Sequence, residues 1–525
     1  MSPGRLLRVS AAFLALSSPA SAQNSQLGPP ADLDSLVTET MEAFEVPGLA
    51  LAVVHDGRVV ATRGYGVREL GRPGPVDLRT RFGIASNTKA FTATAVALLV
   101  EEGRLEWDAP VIQYLPWFRM WDAWVTREIT VRDLLVHRSG LGLGQGDLLG
   151  WPPSDRTREE IVRAIRWLEP KTSFRSAYAY DNVLYHAAAL VIEEASGLTW
   201  EEFVASRIVE PLGMSDTRVS RASTREPGNV ARPHARVDGV VRPVRPFDAT
   251  NTNASGGINA SAADMARWML VQLDSGRVAG ADPIFSPATT RELWGLVTPI
   301  PTGAPPSGLE PLRSSFNGYG LGFFVRDYRG HQMVTHTGGL PGYVSRLTMI
   351  PDERLGIVVL TNAEEGAAFS AITHHVLDHY LGAPAHDWLG AYLALAALRD
   401  SALAASQRES GAARDSTSRP SLSLASYAGT YADPWYGDVA VTLDDGSLVI
   451  RFTRTPALVG DLVHWRHDTF LVRWRDRDLR ADAFLTFDLT PDARVHEARM
   501  VPASADVDFS YDFQDLSLVP KAEVP

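Results

Sequence analysis

Cysteine is absent from all 525 residues. Its absence excludes disulfides, thiol nucleophiles, thiolate metal sites and a lipid-carrying cysteine near the amino terminus. Lysine is nearly absent as well: it supplies only Lys89, Lys171 and Lys521 of the 50 basic residues, and arginine supplies the rest. No stretch offers the roughly 18 uninterrupted apolar residues that span a bilayer as a helix. Acidic residues outnumber basic ones 62 to 50, for a formal net charge of -12, a balance that argues against binding nucleic acid or anionic lipid through a basic surface. Gly-x-Ser-x-Gly does not occur, which speaks against an α/β-hydrolase with a Ser-His-Asp triad.

What is present is 45% apolar and 21% charged residues, the composition of a soluble globular chain long enough for several cores. The first residues have the form of an export signal. Arg5 and Arg8 precede the apolar run Val9–Leu16, and Ala20-Ser21-Ala22 matches a small-residue cleavage site. A signal peptide over 1–22 is therefore expected, with a mature chain beginning near Gln23 and a periplasmic or secreted destination without a transmembrane anchor.

Hydrophobic spacing divides the rest. A helix is expected from Leu33 to Phe44, then a hairpin of Leu49–Val54 and Val59–Val67 turned at Asp56-Gly57. Residues 130–225 are expected to be mostly helical. Strand patterns return at Tyr319–Val325, Gln332–Thr337, Ser345–Ile350 and Leu355–Thr361, followed by a helix at Phe369–Leu381. Early and late strands around a helical middle suggest one antiparallel sheet built from both ends of an α+β domain over 33–385. A helix and a linker follow over 386–422, the linker being the Ser-, Arg- and Ala-rich stretch Gln407–Ser421. Residues 423–519 carry short alternating strands and turns and are expected to form a small β-barrel.

Lys89 stands three residues after Ser86, where Phe82–Lys89 runs into an alanine-rich apolar stretch. The pair would lie on one face of a helix's opening turn. A neutral amine can take the proton of a serine hydroxyl, whereas arginine cannot because it stays protonated. The lysine pKa must then fall from about 10.4 to 7–8, a shift of roughly 4 kcal/mol. Tyr180-Asp181-Asn182, before the apolar helix Val183–Ala195, offers a phenol to relay a proton and an amide to hold Lys89. Tyr178 is a rival on the same side of an extended segment. His336-Thr337-Gly338-Gly339 follows at the end of a strand, where two glycines permit close backbone approach and the Gly339 N–H can join that of Ser86 on an oxyanion.

These elements, in this order, resemble the serine β-lactamase and penicillin-binding protein superfamily, on the side of its class C members, D-aminopeptidases, D,D-peptidases and esterases. Val46-Pro47-Gly48-Leu49, Leu134–Leu141, Gly256-Gly257-Ile258 before Asp264–Trp268, and Tyr319-Gly320-Leu321-Gly322 are similar to the same family, and the carboxy-terminal segment to its lipocalin-like appended domains. The resemblance implies a β-lactamase-like antiparallel sheet with flanking helices and a helical subdomain. It makes Ser86 the acylated nucleophile, Lys89 and Tyr180 the proton-transfer pair, and Asn182, His336, Gly338 and Gly339 the substrate and oxyanion contacts. No metal or organic cofactor is implied. Class C β-lactamases and D,D-peptidases usually carry lysine where His336 stands. A histidine should hold a substrate carboxylate less firmly, which moves the expectation from β-lactams as the main role towards D-amino-acid peptides and small esters.

Other features have plainer readings. His137 is expected to pin the Leu134–Leu141 turn, and His336 has a purely structural alternative. His375 and His379, one helical turn apart, lack a third ligand for zinc. Trp117, Trp121, Trp124 and Trp151 serve either packing or a substrate cleft. The expected partner is a small-molecule or peptide substrate, with room for a homo-oligomer. The rival functional class is a penicillin-binding sensor or scaffold with little turnover, in which the carboxy-terminal β-domain binds a ligand or partner.

Overall fold

The computed structural model describes residues 28–521; the expected export signal lies outside them. Eight antiparallel strands form the first sheet: β1 Gly48–His55, β2 Arg58–Gly66, β3 Thr298–Pro299, β4 Asn317–Tyr319, β5 Phe324–Tyr328, β6 His331–Leu340, β7 Tyr343–Ile350 and β8 Leu355–Thr361. Their order is β2-β1-β8-β7-β6-β5-β4-β3, so the two ends of the domain meet where Leu49–His55 pairs with Thr361–Leu355. The β1–β2 turn places Asp56 and Gly57 at φ 47° and 74°, the left-handed pair that lets a two-residue turn follow the twist of its strands.

The apolar run of β1 is continuous because both faces of the sheet are covered. Ala50, Ala52 and Val54 join Val358 and Leu360 in the core shared with the helical subdomain. Leu49, Leu51 and Val53 join Ile357 and Val359 in a second core under the amino-terminal helix Leu33–Ala43 and the helix Gly366–Tyr380. Alternation with period two thus sends neighbouring side chains into different cores.

Two expectations are corrected. Tyr319–Val325 is not one strand: β4 and β5 flank a tight turn in which Gly320 N–H donates to the Phe323 carbonyl at 2.8 Å. Gly322 there has φ 80°, and a Cβ on it would lie 2.8 Å from the Lys89 carbonyl oxygen. The Gly-Leu-Gly turn therefore lets the hairpin press on the helix that carries Lys89. The stretch expected as a linker is helical in its first part, since a 25-residue helix runs from Trp388 to Ala412; its alanines and arginines are strong helix formers.

Beyond it, eight strands between Gly429 and Pro520 form a second antiparallel sheet. The bridge between Ala498 and Leu518 brings its last strands together and nearly closes a barrel, around aromatic side chains including Phe470, Trp474, Phe487 and Phe513.

His375 and His379 turn towards Asp32 and the Gly28 carbonyl and tie their helix to the segment before the first helix. Trp117 packs under the Arg163 guanidinium at 4.0 Å, while Trp121 and Trp124 are half exposed. Trp151 stacks obliquely on Phe247 and lines a cavity together with Ser86. Among the described residues no helix is long and apolar enough to cross a membrane.

Candidate active site

Ser86 lies in a 3-10 turn, Ala85–Asn87, that runs into the helix Thr88–Glu101. Its neighbours are buried while Ser86 itself stays partly open. Ala85 is held at φ 50°, a conformation that costs a non-glycine residue of order 1 kcal/mol and persists only when its surroundings enforce it. They do so here. Ile84 N–H donates to the Ile258 carbonyl, Ser345 Oγ donates to the Ile84 carbonyl, and Asn87 Nδ2 donates to Ser345 Oγ.

One helical turn on, Lys89 is fully buried. Its Nζ lies 3.2 Å from Ser86 Oγ, 2.6 Å from Asn182 Oδ1 and 2.9 Å from the Ser255 carbonyl oxygen. Two of these partners can only accept. A neutral amine gives them its two N–H bonds and turns its lone pair to the Ser86 hydroxyl. Burial lowers the Lys89 pKa to about 7, with Asp147 opposing, Arg221 adding to the fall and Asp181 opposing. The requirement set by the sequence, an amine neutral near pH 7, is met by desolvation.

Tyr180 and Asn182 precede the helix Val183–Ser196. The Tyr180 ring lies 4.7 Å from Lys89 Nζ and 4.3 Å from the ring of His137, which accepts the Asp181 N–H on Nδ1. His137 thus pins the Tyr178–Asn182 segment to the turn it stands on. Burial raises the Tyr180 pKa well above the phenol range, and its contact with Ser86 only partly offsets this. Tyr180 therefore stays protonated where Lys89 does not, so the first is suited to pass a proton on and the second to take one. Tyr178 also lines the cavity but has no such contact with Ser86.

The strand β6 passes beside the Ser86 turn. Its pairing with β5 ends at Thr335, so His336–Leu340 turns an edge without a strand partner towards the turn. A Cβ on Gly338 would meet the Ile84 carbonyl oxygen at 2.3 Å and Ala85 Cβ at 2.9 Å, whereas the space beside Gly339 is open. The first glycine permits the approach and the second faces the cavity. His336 is buried, and its Nδ1 faces the Thr337 carbonyl, so that nitrogen carries the proton. Nε2 then accepts from Tyr319 Oη at 2.9 Å. Burial, aided by nearby Lys89, lowers the His336 pKa to about 3. The ring is neutral and both nitrogens are engaged within the protein.

These residues line one cavity of about 360 Å³, within the range of small-molecule sites, roughly 300–1,000 Å³. Ser86, Tyr180, Asn182, His336 and Gly339 all face it. So do groups that sequence reasoning missed: Asp147, Arg221, Asp508, Phe509 and Ser510. Arg221 is buried and ties down the loop beside Lys89, with Nε donating to the Gly256 carbonyl and Nη1 to Thr252 Oγ1. Burial lowers its pKa to about 9, against the pull of Asp147. Asp147 stands amid the glycines at 142, 144, 146 and 150, a turn-rich setting that offered a weak signal. Nothing local marks residues 508–510.

The chain is similar to known proteins over most of its length. The Beta-lactamase family model matches residues 33–381, and a domain of unknown function, DUF3471, matches residues 413–520. The unguisins hydrolase ungD' of Aspergillus campestris is 30% identical over 441 residues, covering 80% of this chain and 79% of that protein. The D-amino acid amidase of Ochrobactrum anthropi SV3 is 25% identical with a TM-score of 0.53, over 67% of this chain and 98% of that one. The octameric penicillin-binding protein homologue of Pyrococcus abyssi shares the fold at a TM-score of 0.59 and 23% identity, over 93% of this chain and 99% of that one. With the family match spanning well over half of its residues and a relative at 30% identity across most of its length, the chain belongs to the β-lactamase family of serine hydrolases.

Proposed function

We propose that the protein is an exported hydrolase that cleaves amide or ester bonds through an acyl-enzyme on Ser86, with amides and peptides of D-amino acids and small esters as substrates and β-lactams as a side activity. The observation that carries this reading is the Lys89 amine, buried, pushed towards neutrality and 3.2 Å from Ser86 Oγ. Lys89 takes the hydroxyl proton as Ser86 attacks the carbonyl carbon. The negative oxygen that forms is met by the N–H groups of Ser86 and Gly339. Tyr180 relays the proton to the leaving group, the C–N or C–O bond breaks, and water then releases the acyl group by the reverse sequence. The substrate preference is supported by the neutral His336, which offers no cation to a carboxylate, and by the relatives named as a D-amino acid amidase and an unguisins hydrolase.

In this reading residues 33–385 are the catalytic unit and 423–519 a lipocalin-like barrel, joined by 386–422, and the chain assembles as a homo-oligomer, as the octameric relative does by name. The test is a panel of nitrocefin, p-nitrophenyl esters and D-alanyl amides, run on the mature protein and on Ser86→Ala. Turnover of amides or esters that Ser86→Ala abolishes is expected. Stoichiometric acylation without turnover would instead favour a sensor.

A further inference from the structure

Lys89 depends on Asn182, whose Oδ1 must face the amine. A side-chain amide can turn end for end, so some neighbour has to select the orientation. Asp147 does so: its Oδ2 accepts from Asn182 Nδ2 at 2.7 Å, and the flipped amide would set oxygen against oxygen. The same Oδ2 accepts from Ser510 Oγ at 2.9 Å, across 363 residues of chain. Next to it, Asp512 takes the Gly146 N–H at 2.6 Å and the Leu148 N–H at 2.9 Å, fixing the turn on which Asp147 sits. Ser510 and Asp512 belong to the segment between the last two barrel strands. A line of hydrogen bonds therefore runs from the barrel through Asp147 and Asn182 to Lys89 and Ser86.

Asp147 and Asp512 are two buried carboxyls close together. Burial raises both pKa values, that of Asp147 to about 7; such crowding is costly, and groups perturbed in this way cluster at functional sites. Among the described residues Asp147 Oδ1 has no hydrogen-bond partner, although the residue lines the cavity.

We propose, resting on the reading of Ser86 and Lys89 as nucleophile and base, that Asp147 and Ser510 are positioning residues that act through Asn182 on the Lys89 amine, so that the carboxy-terminal barrel supplies a working part of the active site. The groups that face Lys89 are Asp147, Asp181, Arg221, Tyr180, Tyr185, His137, His186 and His336. Asp508 and Asp512 face Asp147 from the barrel. Of these only Asp147 is joined to Lys89 through a single shared amide.

The experiment uses full-length protein, with p-nitrophenyl ester turnover and the rate of Ser86 labelling by a fluorescent phosphonate read across pH. Ser510→Ala should lower kcat and the labelling rate roughly 10- to 100-fold, the scale of a misplaced catalytic group, with KM little changed. Ser510→Thr, which keeps the hydroxyl, should recover most of the loss. Asp147→Asn keeps an acceptor for Asn182 but loses the anion that favours the ammonium form, so its acid limb should move to lower pH. Wild-type kcat, labelling rate and acid limb in both Ser510→Ala and Asp147→Asn would overturn the proposal while leaving Ser86 in place. Equal losses in Ser510→Ala and Ser510→Thr with an unmoved limb in Asp147→Asn would overturn it too, by marking mere packing. Should Ser510→Ala fail to fold, the near-isosteric Asp147→Asn decides by its limb alone. Wild-type labelling at a residue other than Ser86 would remove both this proposal and the reading beneath it.

Discussion

The Tyr319 hydroxyl donates to His336 Nε2 over 2.9 Å, and the opposite ring nitrogen of His336 is spent on the neighbouring Thr337 carbonyl. The wall that His336 gives the cavity is an uncharged ring with no donor left for a substrate.

Substrate preference should reflect that wall. Hydrogen bonds to charged groups contribute about 1.5–3 kcal/mol, roughly 10- to 150-fold in kcat/KM. Pairs of amides that differ only in a free or capped carboxylate on the leaving group should therefore differ by less than about threefold, far below that range. Measuring kcat/KM on such pairs checks this. A preference for the free acid above tenfold would show a cation at work.

Activity should rise with pH along a limb set by Lys89, because the amine is the base only after it loses its proton. With its pKa lowered to about 7 by burial, kcat/KM should fall about tenfold per pH unit well below pH 7 and level off above it. Lys89→Arg keeps the charge and removes the base, and should lose at least about a thousandfold, as Lys89→Met does. A limb near pH 10, or an active arginine variant, would contradict the assignment.

The two tyrosines can be told apart. The Tyr180 ring lies 4.7 Å from Lys89 Nζ and its pKa is influenced by Ser86, whereas that of Tyr178 is raised by burial and by Asp181. Tyr180→Phe should lower kcat about 100-fold or more, the usual worth of a positioned proton carrier. Tyr178→Phe should change it by less than about threefold. Burst kinetics on a p-nitrophenyl ester would show whether acylation is the step affected.

Adjacent glycines should behave differently. Gly338→Ala forces a Cβ to within 2.3 Å of the Ile84 carbonyl oxygen, so the strand or the Ser86 turn must move. An overpacking cost of about 1–3 kcal/mol is expected, seen as a lowered Tm together with slow acylation. Gly339→Ala meets open space and should leave Tm within about 1 °C of wild type, while raising KM because the new methyl projects into the cavity. Thermal melts and kinetics on the pair separate the two roles.

Much of this arrangement is legible residue by residue. Asp56-Gly57 announces a hairpin, and the hairpin is there because both residues adopt positive φ. The Ser86–Lys89 spacing announces a shared helical face, and Nζ does reach Oγ. Tyr319–Val325 misleads as one strand because its apolar pattern is unbroken, while the Gly322 turn answers to the Lys89 helix, more than 230 residues earlier in the chain. The linker misleads because its Ser, Arg and Ala suggest looseness, although the helix that begins at Trp388 continues through Gln407 to Ala412.

Local spacing and side-chain chemistry were enough to specify most of the strands, the helix opening at Ser86, and a scarce titratable amine among arginines. Folding in three dimensions added that this amine is desolvated, that His336 is silenced by Tyr319, and that Ser510 of the barrel reaches Asp147. The physical reason is that a pKa and a hydrogen-bond partner depend on what packs around a group. Here that packing comes from segments hundreds of residues apart, which no local pattern encodes.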